Sequence, residues 1–116
     1  MLIAEDDDSL RMLLRLSVDI GDLDIDEAAD GETAILMAHE NPPDLALLDW
    51  SMPGLTGLDV CRALRADPRS AAALIVVVTA RVLEGDREAA LAAGADHYVG
   101  KPFSPVALLE IVRHAL

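Results

Sequence analysis

The chain has 116 residues, of which 53% are hydrophobic and 26% are charged, and its formal net charge is −12. This length suits one domain, because two halves of it could not each build a comfortable core, and the composition is that of an ordinary globular protein. The negative charge argues against direct contact with a nucleic-acid backbone or an anionic membrane, since both require a basic patch.

The sequence also disfavours membrane insertion and secretion. No run approaches the ~20 apolar residues of a spanning helix, and no basic segment followed by an apolar one stands at the N-terminus. The single cysteine, Cys61, excludes an internal disulfide and fits a reducing compartment. We expect a soluble, cytoplasmic protein in which Cys61 is buried and unreactive inside a helix.

Short apolar runs alternate with helical patterns along the whole chain, which is typical of β-α-β units on a parallel sheet. The sequence predicts five strands, at residues 2–4, 24–28, 45–48, 74–78 and 96–99. It predicts five helices, at about residues 9–20, 32–40, 58–65, 84–93 and 105–116. Right-handed crossovers between such strands give an open, doubly wound α/β sheet.

The strands differ in character. The first, at residues 2–4, is short, so either it is brief or it begins upstream. Residues 24–28 alternate in polarity, which is typical of an edge strand, whereas residues 45–48 are entirely apolar and indicate a buried central strand. Residues 74–78 form the run richest in β-branched side chains.

Several helix ends carry recognisable signals. Asp8 or Ser9 is expected to cap the first helix, which Gly21 should end, and Asp30 is expected to cap the second. Gly94 is well placed to end the fourth helix, and Ser104, followed by proline, to cap the last. The predicted inner faces of the first and last helices are Leu10, Leu13 and Leu14, and Val106, Leu109 and Val112.

Polar residues follow the ends of four predicted strands. Glu5 and Asp6 follow the first, Asp49 the third, Thr79 the fourth, and Lys101, the only lysine in the chain, the last. Ligands of doubly wound sheets bind beyond the carboxyl ends of the strands, so these side chains should converge.

A cluster of carboxylates is stabilised by a hard cation, and Mg²⁺ prefers oxygen ligands of this kind. Asp6, Asp49 and the backbone carbonyl of Ser51 could bind Mg²⁺, or Mn²⁺ in its place, with Glu5 acting directly or through water. Two simpler interpretations stay open: the acids at residues 5–8 could favour a helix dipole, and Asp49 could cap its loop.

The same residues could handle a phosphoryl group. A carboxylate such as Asp49 can attack phosphorus to form an acyl phosphate. The Lys101 ammonium would neutralise charge on the phosphoryl oxygens, and the Thr79 hydroxyl would donate a hydrogen bond to them.

Taken together, these motifs resemble the receiver domain of two-component response regulators over essentially the whole chain. The matching motifs are Glu5-Asp6, Asp49 before Met52-Pro53-Gly54, Thr79-Ala80, Tyr98, and Lys101-Pro102-Phe103. The resemblance implies a single receiver domain over residues 1–116, either complete or excised from a longer chain. It further implies a flavodoxin-like sheet in the order 2-1-3-4-5 and a Lys101–Pro102 peptide that is often cis.

The resemblance implies a phosphoacceptor signalling domain rather than an enzyme, although one that assists its own phosphorylation and dephosphorylation. Asp49 would receive its phosphoryl group from a sensor histidine kinase or a phosphotransfer protein, with Asp6 as a principal Mg²⁺ ligand. Thr79 would then move toward the phosphoryl group and Tyr98 would turn inward. The surface of the fourth helix, last strand and last helix would change and control an output partner or a phosphorylation-linked dimer.

Four neighbouring residues carry further expectations. In the family that this chain resembles, the positions of Ser51 and Arg81 influence how fast the phosphoryl group is hydrolysed. Trp50 should pack over the site and could report phosphorylation by fluorescence. His97 is expected to be an exposed surface histidine.

Three other functions fit the sequence less well. A phosphatase or mutase with an aspartyl nucleophile typically has a second aspartate two residues further on, where this chain has Ser51. A nucleotide-binding domain should have a glycine-rich loop after the first strand, where this chain is acidic. A degenerate receiver used only for protein contacts would not need the complete set of strand-end residues.

Overall fold

The structure is a computed structural model that describes residues 1–18, 24–81 and 83–115. Within these residues, five parallel strands form one sheet in the order β2-β1-β3-β4-β5, which confirms the predicted doubly wound, flavodoxin-like architecture. The strands are β1 (Leu2–Ala4), β2 (Asp26–Ala28), β3 (Leu45–Leu48), β4 (Leu74–Thr79) and β5 (His97–Gly100). The helices are α1 (Asp8–Val18), α2 (Gly31–Glu40), α3 (Gly57–Ala66), α4 (Asp86–Ala92) and α5 (Pro105–Ala115).

Helices cover both faces of the sheet, which explains why its central strands β1, β3 and β4 are apolar apart from Thr79 at the end of β4. On one face, Leu47 and Val76 pack with Leu14 of α1 and Leu108 of α5. On the other, a second core joins the sheet to α2, α3 and α4; its larger members include Leu48, Leu58, Leu64, Ile75 and Val77. Burying each such side chain stabilises the fold by about 1.5–3 kcal/mol.

The start of α1 differs from the prediction. Asp7, rather than Asp8 or Ser9, caps the helix, because its Oδ1 accepts a hydrogen bond of 3.0 Å from the backbone amide of Leu10. Of the three leucines expected on the inner face, Leu14 is buried, but Leu13 is exposed. The predicted end of this helix near Gly21 lies outside the described residues.

The last helix begins as predicted, but its inner face agrees with the prediction only in part. The Ser104 hydroxyl accepts a hydrogen bond of 3.2 Å from the amide of Ala107, as expected of a cap. Of the three residues predicted to be inside, Val112 is fully buried and Leu109 is half-buried, but Val106 is 68% exposed; Leu108, which was not predicted, is fully buried. The apolar run at residues 106–109 does not by itself decide which side chain turns inward. Packing against α1 and the sheet places Leu108 inside.

The ends of several other elements can also be compared with the prediction. β2 begins two residues later than predicted, and α4 begins at Asp86, after Gly85 adopts a positive φ of 88°. The Asp30 cap of α2 is confirmed by a hydrogen bond of 2.7 Å from the amide of Thr33. Gly94 follows α4 with a φ of 114°, which agrees with its predicted role as the helix stop.

Arg65 ties α3 to the loops at the opposite end of the sheet from the strand-end residues. Its guanidinium donates hydrogen bonds to the backbone carbonyls of Ala71, Ala73 and Gly94, and it pairs with Asp96 at 2.9 Å. Cys61, on the same helix, is fully buried, and burial raises the pKa of its thiol, in agreement with the prediction. Among the described helices, each is too short or too polar to cross a membrane.

Candidate functional site

The carboxyl ends of four neighbouring strands bring the predicted site residues together. Glu5 follows β1, Asp49 follows β3, and Lys101 follows β5, while Thr79 is the last residue of β4. These strands are consecutive in the sheet, so residues far apart in sequence become neighbours at one edge.

Three carboxylates form a compact cluster at this edge. One ligand oxygen from each of Glu5, Asp6 and Asp49 lies within 4.8 Å of the other two. Glu5 and Asp49 are buried, whereas Asp6 is exposed. The arrangement offers a hard cation one oxygen from each of three carboxyl groups.

Lys101 supplies the positive charge beside this cluster. Its Nζ lies 2.9 Å from Glu5 Oε1 and 3.4 Å from Asp49 Oδ2, so one ammonium contacts two of the three carboxylates. Burial alone would lower the pKa of Lys101, but its contacts with Glu5 and Asp49 outweigh that effect and raise it. The lysine therefore remains charged. The Lys101–Pro102 peptide is cis, as the resemblance implied.

The surroundings of Glu5 disfavour its charged form even though Lys101 contacts it. Its Oε2 is buried and, within the described part of the chain, accepts no hydrogen bond. Burial, and after it the neighbouring Asp49, raises the pKa of Glu5 to about 8 despite the contact with Lys101. An unpartnered buried oxygen in a set of oxygen donors fits a site for a divalent cation.

The loop after β3 holds Asp49 in place. The backbone amide of Ser51 donates to Asp49 Oδ1 at 3.3 Å, and the amide of Gly57 donates to the carbonyl of Trp50 at 3.0 Å. Gly54 turns the loop with a φ of 73°, a conformation that glycine adopts without strain. These contacts place Ser51 beside the cluster; the role of its carbonyl as a ligand stays a prediction.

Thr79 lies across an open cavity from this loop. The cavity has a volume of about 250 Å³ and is lined by Asp49, Ser51, Thr79, Ala80, Arg81 and Lys101. Thr79 is buried, and its hydroxyl oxygen accepts a hydrogen bond of 3.2 Å from the backbone amide of Arg81. The hydroxyl hydrogen remains available to a group that enters the cavity.

The mouth of the cavity includes contacts that the sequence did not reveal. The Arg81 guanidinium carbon lies 4.3 Å from the centroid of the Trp50 ring, in a cation–π contact. The Arg81 guanidinium also donates a hydrogen bond to Asp86. The backbone carbonyl of Arg81 accepts a hydrogen bond from the hydroxyl of Tyr98. Trp50 was expected to pack over the site, and its ring contacts Arg81, which lines the cavity. Tyr98 is half-buried, with its hydroxyl directed at Arg81. His97 is exposed, as predicted.

Comparison with known proteins identifies the family to which this chain belongs. A model of the response regulator receiver domain family matches residues 1–113. The phosphate regulon transcriptional regulatory protein PhoB of Rhizobium meliloti is 39% identical over 114 residues, which are 98% of this chain and 50% of that protein. The chemotaxis protein CheY of Pseudomonas aeruginosa is 39% identical over 111 residues, 95% of this chain and 90% of CheY.

The relatives differ in length. The DNA-binding response regulator MtrA of Mycolicibacterium smegmatis is 40% identical over 116 residues, 100% of this chain and 50% of MtrA. The chain therefore spans about half the length of PhoB and MtrA, but most of CheY.

Solved structures show the same architecture. Vibrio cholerae chemotaxis protein CheY4 superposes with a TM-score of 0.88 at 26% identity, covering 99% of this chain and 96% of CheY4. The receiver domain of the Francisella response regulator 1452 superposes with a TM-score of 0.86 at 26% identity, covering 98% and 93%. The family is a signalling domain of two-component systems rather than a classical enzyme. This chain belongs to the response regulator receiver domain family.

Proposed function

We propose that this receiver domain accepts a phosphoryl group on Asp49 from the phosphohistidine of a sensor histidine kinase or a phosphotransfer protein, in a reaction that requires Mg²⁺. The contact of one lysine with both Glu5 and Asp49 carries the proposal, because it places a cation where phosphoryl oxygens must be neutralised. A purely structural cluster would have no need of a cavity beside its aspartate.

The carboxylates would hold the metal ion. Asp6, Asp49 and the carbonyl of Ser51 are the proposed ligands of Mg²⁺, or of Mn²⁺, and Glu5 contributes directly or through water. The bound ion would supply positive charge to the phosphoryl oxygens and relieve the repulsion within the cluster. The raised pKa of Glu5 and its unpartnered oxygen support this assignment.

The transfer itself needs little more than positioning. An Asp49 carboxylate oxygen forms a bond to phosphorus while the bond from phosphorus to the histidine nitrogen breaks, and the imidazole leaves with that electron pair. The Lys101 ammonium and the Thr79 hydroxyl would stabilise the charge on the phosphoryl oxygens. Later attack by water would return Asp49 to its free form. The same groups would act in that reaction, so the domain would assist both its phosphorylation and its dephosphorylation.

Phosphorylation would then change a surface. Thr79 would move toward the phosphoryl group, Tyr98 would turn inward, and the surface formed by α4, β5 and α5 would present a new shape. That surface would control an output domain, an effector protein or a phosphorylation-linked dimer, without contact of this domain with nucleic acid or membrane. We place this activity in the cytoplasm, as one domain over residues 1–116, whether or not the protein extends further.

The first experiment is to detect the acyl phosphate. The protein is incubated with Mg²⁺ and acetyl phosphate, and intact mass shows the phosphorylated species while Trp50 fluorescence follows its formation. We expect phosphorylation of the wild-type protein, no stable phosphorylation of Asp49→Asn, and normal phosphorylation of Asp44→Asn, a matched exposed residue just before β3. Retention of the phosphoryl group by Asp49→Asn would refute the assignment.

A beryllofluoride mimic separates binding from chemistry. With Mg²⁺ it should change Trp50 fluorescence in the wild-type protein but not in Asp49→Asn. A response to Mg²⁺ with no response to either phosphoryl reagent would instead favour a metal-dependent interaction domain.

A further inference from the structure

Arg11 is a half-buried arginine in the first turn of α1 that the proposed phosphoryl transfer does not use. Its Nη1 donates a hydrogen bond of 2.9 Å to the backbone carbonyl of Glu5, and its Nη2 donates one of 2.6 Å to Asp8 Oδ1. Its Nε lies 3.5 Å from Glu27 Oε1. The guanidinium therefore joins three segments of the chain: the end of β1, the start of α1, and β2.

The carbonyl that Arg11 contacts belongs to the peptide group between Glu5 and Asp6. A peptide group is planar, so a bond that fixes this oxygen also fixes the amide of Asp6 and the point from which the Asp6 side chain extends. On the other side of the same residue, the Glu5 amide donates a hydrogen bond of 3.0 Å to the carbonyl of Ala28 in β2. The main chain at the end of β1 is thus held both before and after the Glu5 side chain.

Asp6 depends on this main chain for its position. Its side chain is exposed, so packing does little to hold it, yet the carboxylate cluster requires one of its oxygens within 4.8 Å of Glu5 and Asp49. A cation binds more tightly to ligands that are already in place, because ordering them during binding costs conformational entropy. The hydrogen bond from Arg11 should therefore strengthen cation binding.

The charge of Arg11 acts in the opposite direction. A positive charge near carboxylates competes with a cation for them and weakens its binding. Arg15, one turn further along α1, provides the comparison, because within the described part of the chain its guanidinium pairs with Glu27 alone. The two arginines carry the same charge and share a carboxylate, but only Arg11 contacts the Glu5 carbonyl. Position and charge therefore have opposite effects on cation affinity at Arg11.

We propose that Arg11 is a positioning residue that fixes the peptide group between Glu5 and Asp6 and thereby prepares the carboxylates at the end of β1 for a divalent cation. The proposal rests on the function proposed above, in which Asp6 is a principal metal ligand. It assigns to α1 a part in the metal site, although α1 supplies none of the proposed ligands.

The affinity for Mn²⁺ tests the proposal without any phosphodonor. Arg11→Met keeps the apolar stem of the side chain and removes the guanidinium. Electron paramagnetic resonance of the free ion should show a dissociation constant about tenfold higher than that of the wild-type protein. Arg15→Met removes the same charge but keeps the hydrogen bond to Glu5, so its affinity should equal or slightly exceed that of the wild-type protein.

A second variant separates position from charge. Arg11→Lys keeps the positive charge, but one ammonium cannot contact the Glu5 carbonyl, Asp8 and Glu27 together, and the charged carboxylates should attract it more strongly. Its affinity for Mn²⁺ should also fall, and because the charge is unchanged, the loss must come from the altered contact. If Arg11→Met does not fold, this variant replaces it, and an unchanged affinity overturns the proposal.

The dependence of phosphorylation on Mg²⁺ separates positioning from a general structural role. The Mg²⁺ concentration that gives half the maximal rate with acetyl phosphate should rise about tenfold in Arg11→Met. At saturating Mg²⁺ the rate should equal that of the wild-type protein, because Asp49 itself is not displaced. A rate that stays low at saturating Mg²⁺ would place the defect outside the metal site and overturn the proposal.

The remaining outcomes are equally decisive. An Arg11→Met affinity equal to or above that of the wild-type protein overturns the proposal, and so do equal losses of affinity in Arg11→Met and Arg15→Met. If the wild-type protein binds Mn²⁺ but forms no acyl phosphate, the proposed phosphoryl transfer is refuted, and the Mn²⁺ affinities still decide the role of Arg11. A wild-type protein that binds neither Mn²⁺ nor Mg²⁺ refutes both.

Discussion

Gly57 lies so close to Asp49 that a β-carbon built on Gly57 would come within 2.1 Å of the carbonyl oxygen of Asp49. The first turn of α3 therefore rests on the backbone that carries the candidate phosphoacceptor. No residue with a side chain fits this contact unless the main chain moves.

Gly57→Ala should accordingly impair both stability and the site. We expect a loss of about 1–3 kcal/mol in the free energy of unfolding, because the added carbon overpacks a contact with rigid main chain. The displaced Asp49 should also be phosphorylated more slowly by acetyl phosphate. Urea unfolding and the rate of acyl phosphate formation check the two effects.

The matched control is Gly100→Ala. A β-carbon at Gly100 would meet no atom within 4 Å, so this variant should retain nearly full stability. Equal stability of Gly57→Ala and the wild-type protein would show that the loop after β3 yields easily, contrary to the tight contact described here.

Glu5→Gln should change stability and metal affinity in opposite directions. The substitution removes a buried, unpartnered carboxylate oxygen and its repulsion with Asp49. In EDTA at neutral pH we expect the variant to be more stable by about 1–2 kcal/mol, because a carboxyl group whose pKa is raised to about 8 in the folded protein ionises freely only in the unfolded chain and so favours unfolding. With one charge fewer among the candidate ligands, its affinity for Mg²⁺ should fall.

Thermal unfolding in EDTA and a Mg²⁺ titration followed by Trp50 fluorescence check both signs. Glu40→Gln, a change at an exposed position, should alter neither quantity. A Glu5→Gln variant that is less stable in EDTA would mean that the pairing of Glu5 with Lys101 outweighs the cost of its burial.

Arg65 should contribute far more to stability than its neighbour Arg62. Arg65 hydrogen-bonds three loop carbonyls and pairs with Asp96, whereas Arg62 is exposed and pairs only loosely with Asp59, at 3.4 Å. We expect Arg65→Ala to lower the free energy of unfolding by about 2–4 kcal/mol and Arg62→Ala by less than about 0.5 kcal/mol. Urea unfolding of the two variants measures the difference, and similar losses would contradict it.

Asp67 should stabilise the fold in a manner that depends on pH. Hydrogen bonds from Arg69, above all from its side chain, lower the pKa of Asp67 from 3.8 to about 2. Because the folded-state pKa lies below the unfolded one, the stabilisation is fully present above the unfolded pKa and is lost as the pH falls through the folded pKa. The wild-type protein should therefore exceed Asp67→Asn in stability at neutral pH, and the difference should shrink between about pH 4 and pH 2.

Urea midpoints of both proteins over this range make the comparison. Asp44→Asn, at an exposed aspartate, provides the reference for the general effect of losing one carboxylate. A difference between wild type and Asp67→Asn that stays constant as the pH falls would show that the ionised form of Asp67 is not what stabilises the fold.

The sheet and the site were predictable from sequence for a common reason. Strands buried on both faces are mostly apolar, so β3 and β4 stand out, and a polar residue marks the end of each: Asp49 follows β3, and Thr79 is the last residue of β4. Parallel strands all end at one edge, so Glu5, Asp49 and Lys101 had to meet there once the sheet was assumed.

What the sequence did not reveal depends on competition between similar choices. Asp7, Asp8 and Ser9 can each cap a helix, and only the position of α1 selects Asp7. Contacts of long polar side chains are harder still, because Arg65 and Arg81 each find partners from other loops that no local pattern identifies. Such contacts depend on distances between elements rather than on the elements themselves.

The pairing of Lys101 with Glu5 joins residues 96 positions apart and so sets an order of events during synthesis. The carboxylates emerge from the ribosome long before the lysine that compensates them, because the chain is made from its N-terminus. A nascent chain that ends before β5 lacks both a strand and the ammonium beside Asp49. The carboxylate cluster together with Lys101 can therefore assemble only when nearly the whole domain has been made. An unfinished chain lacks the assembled site.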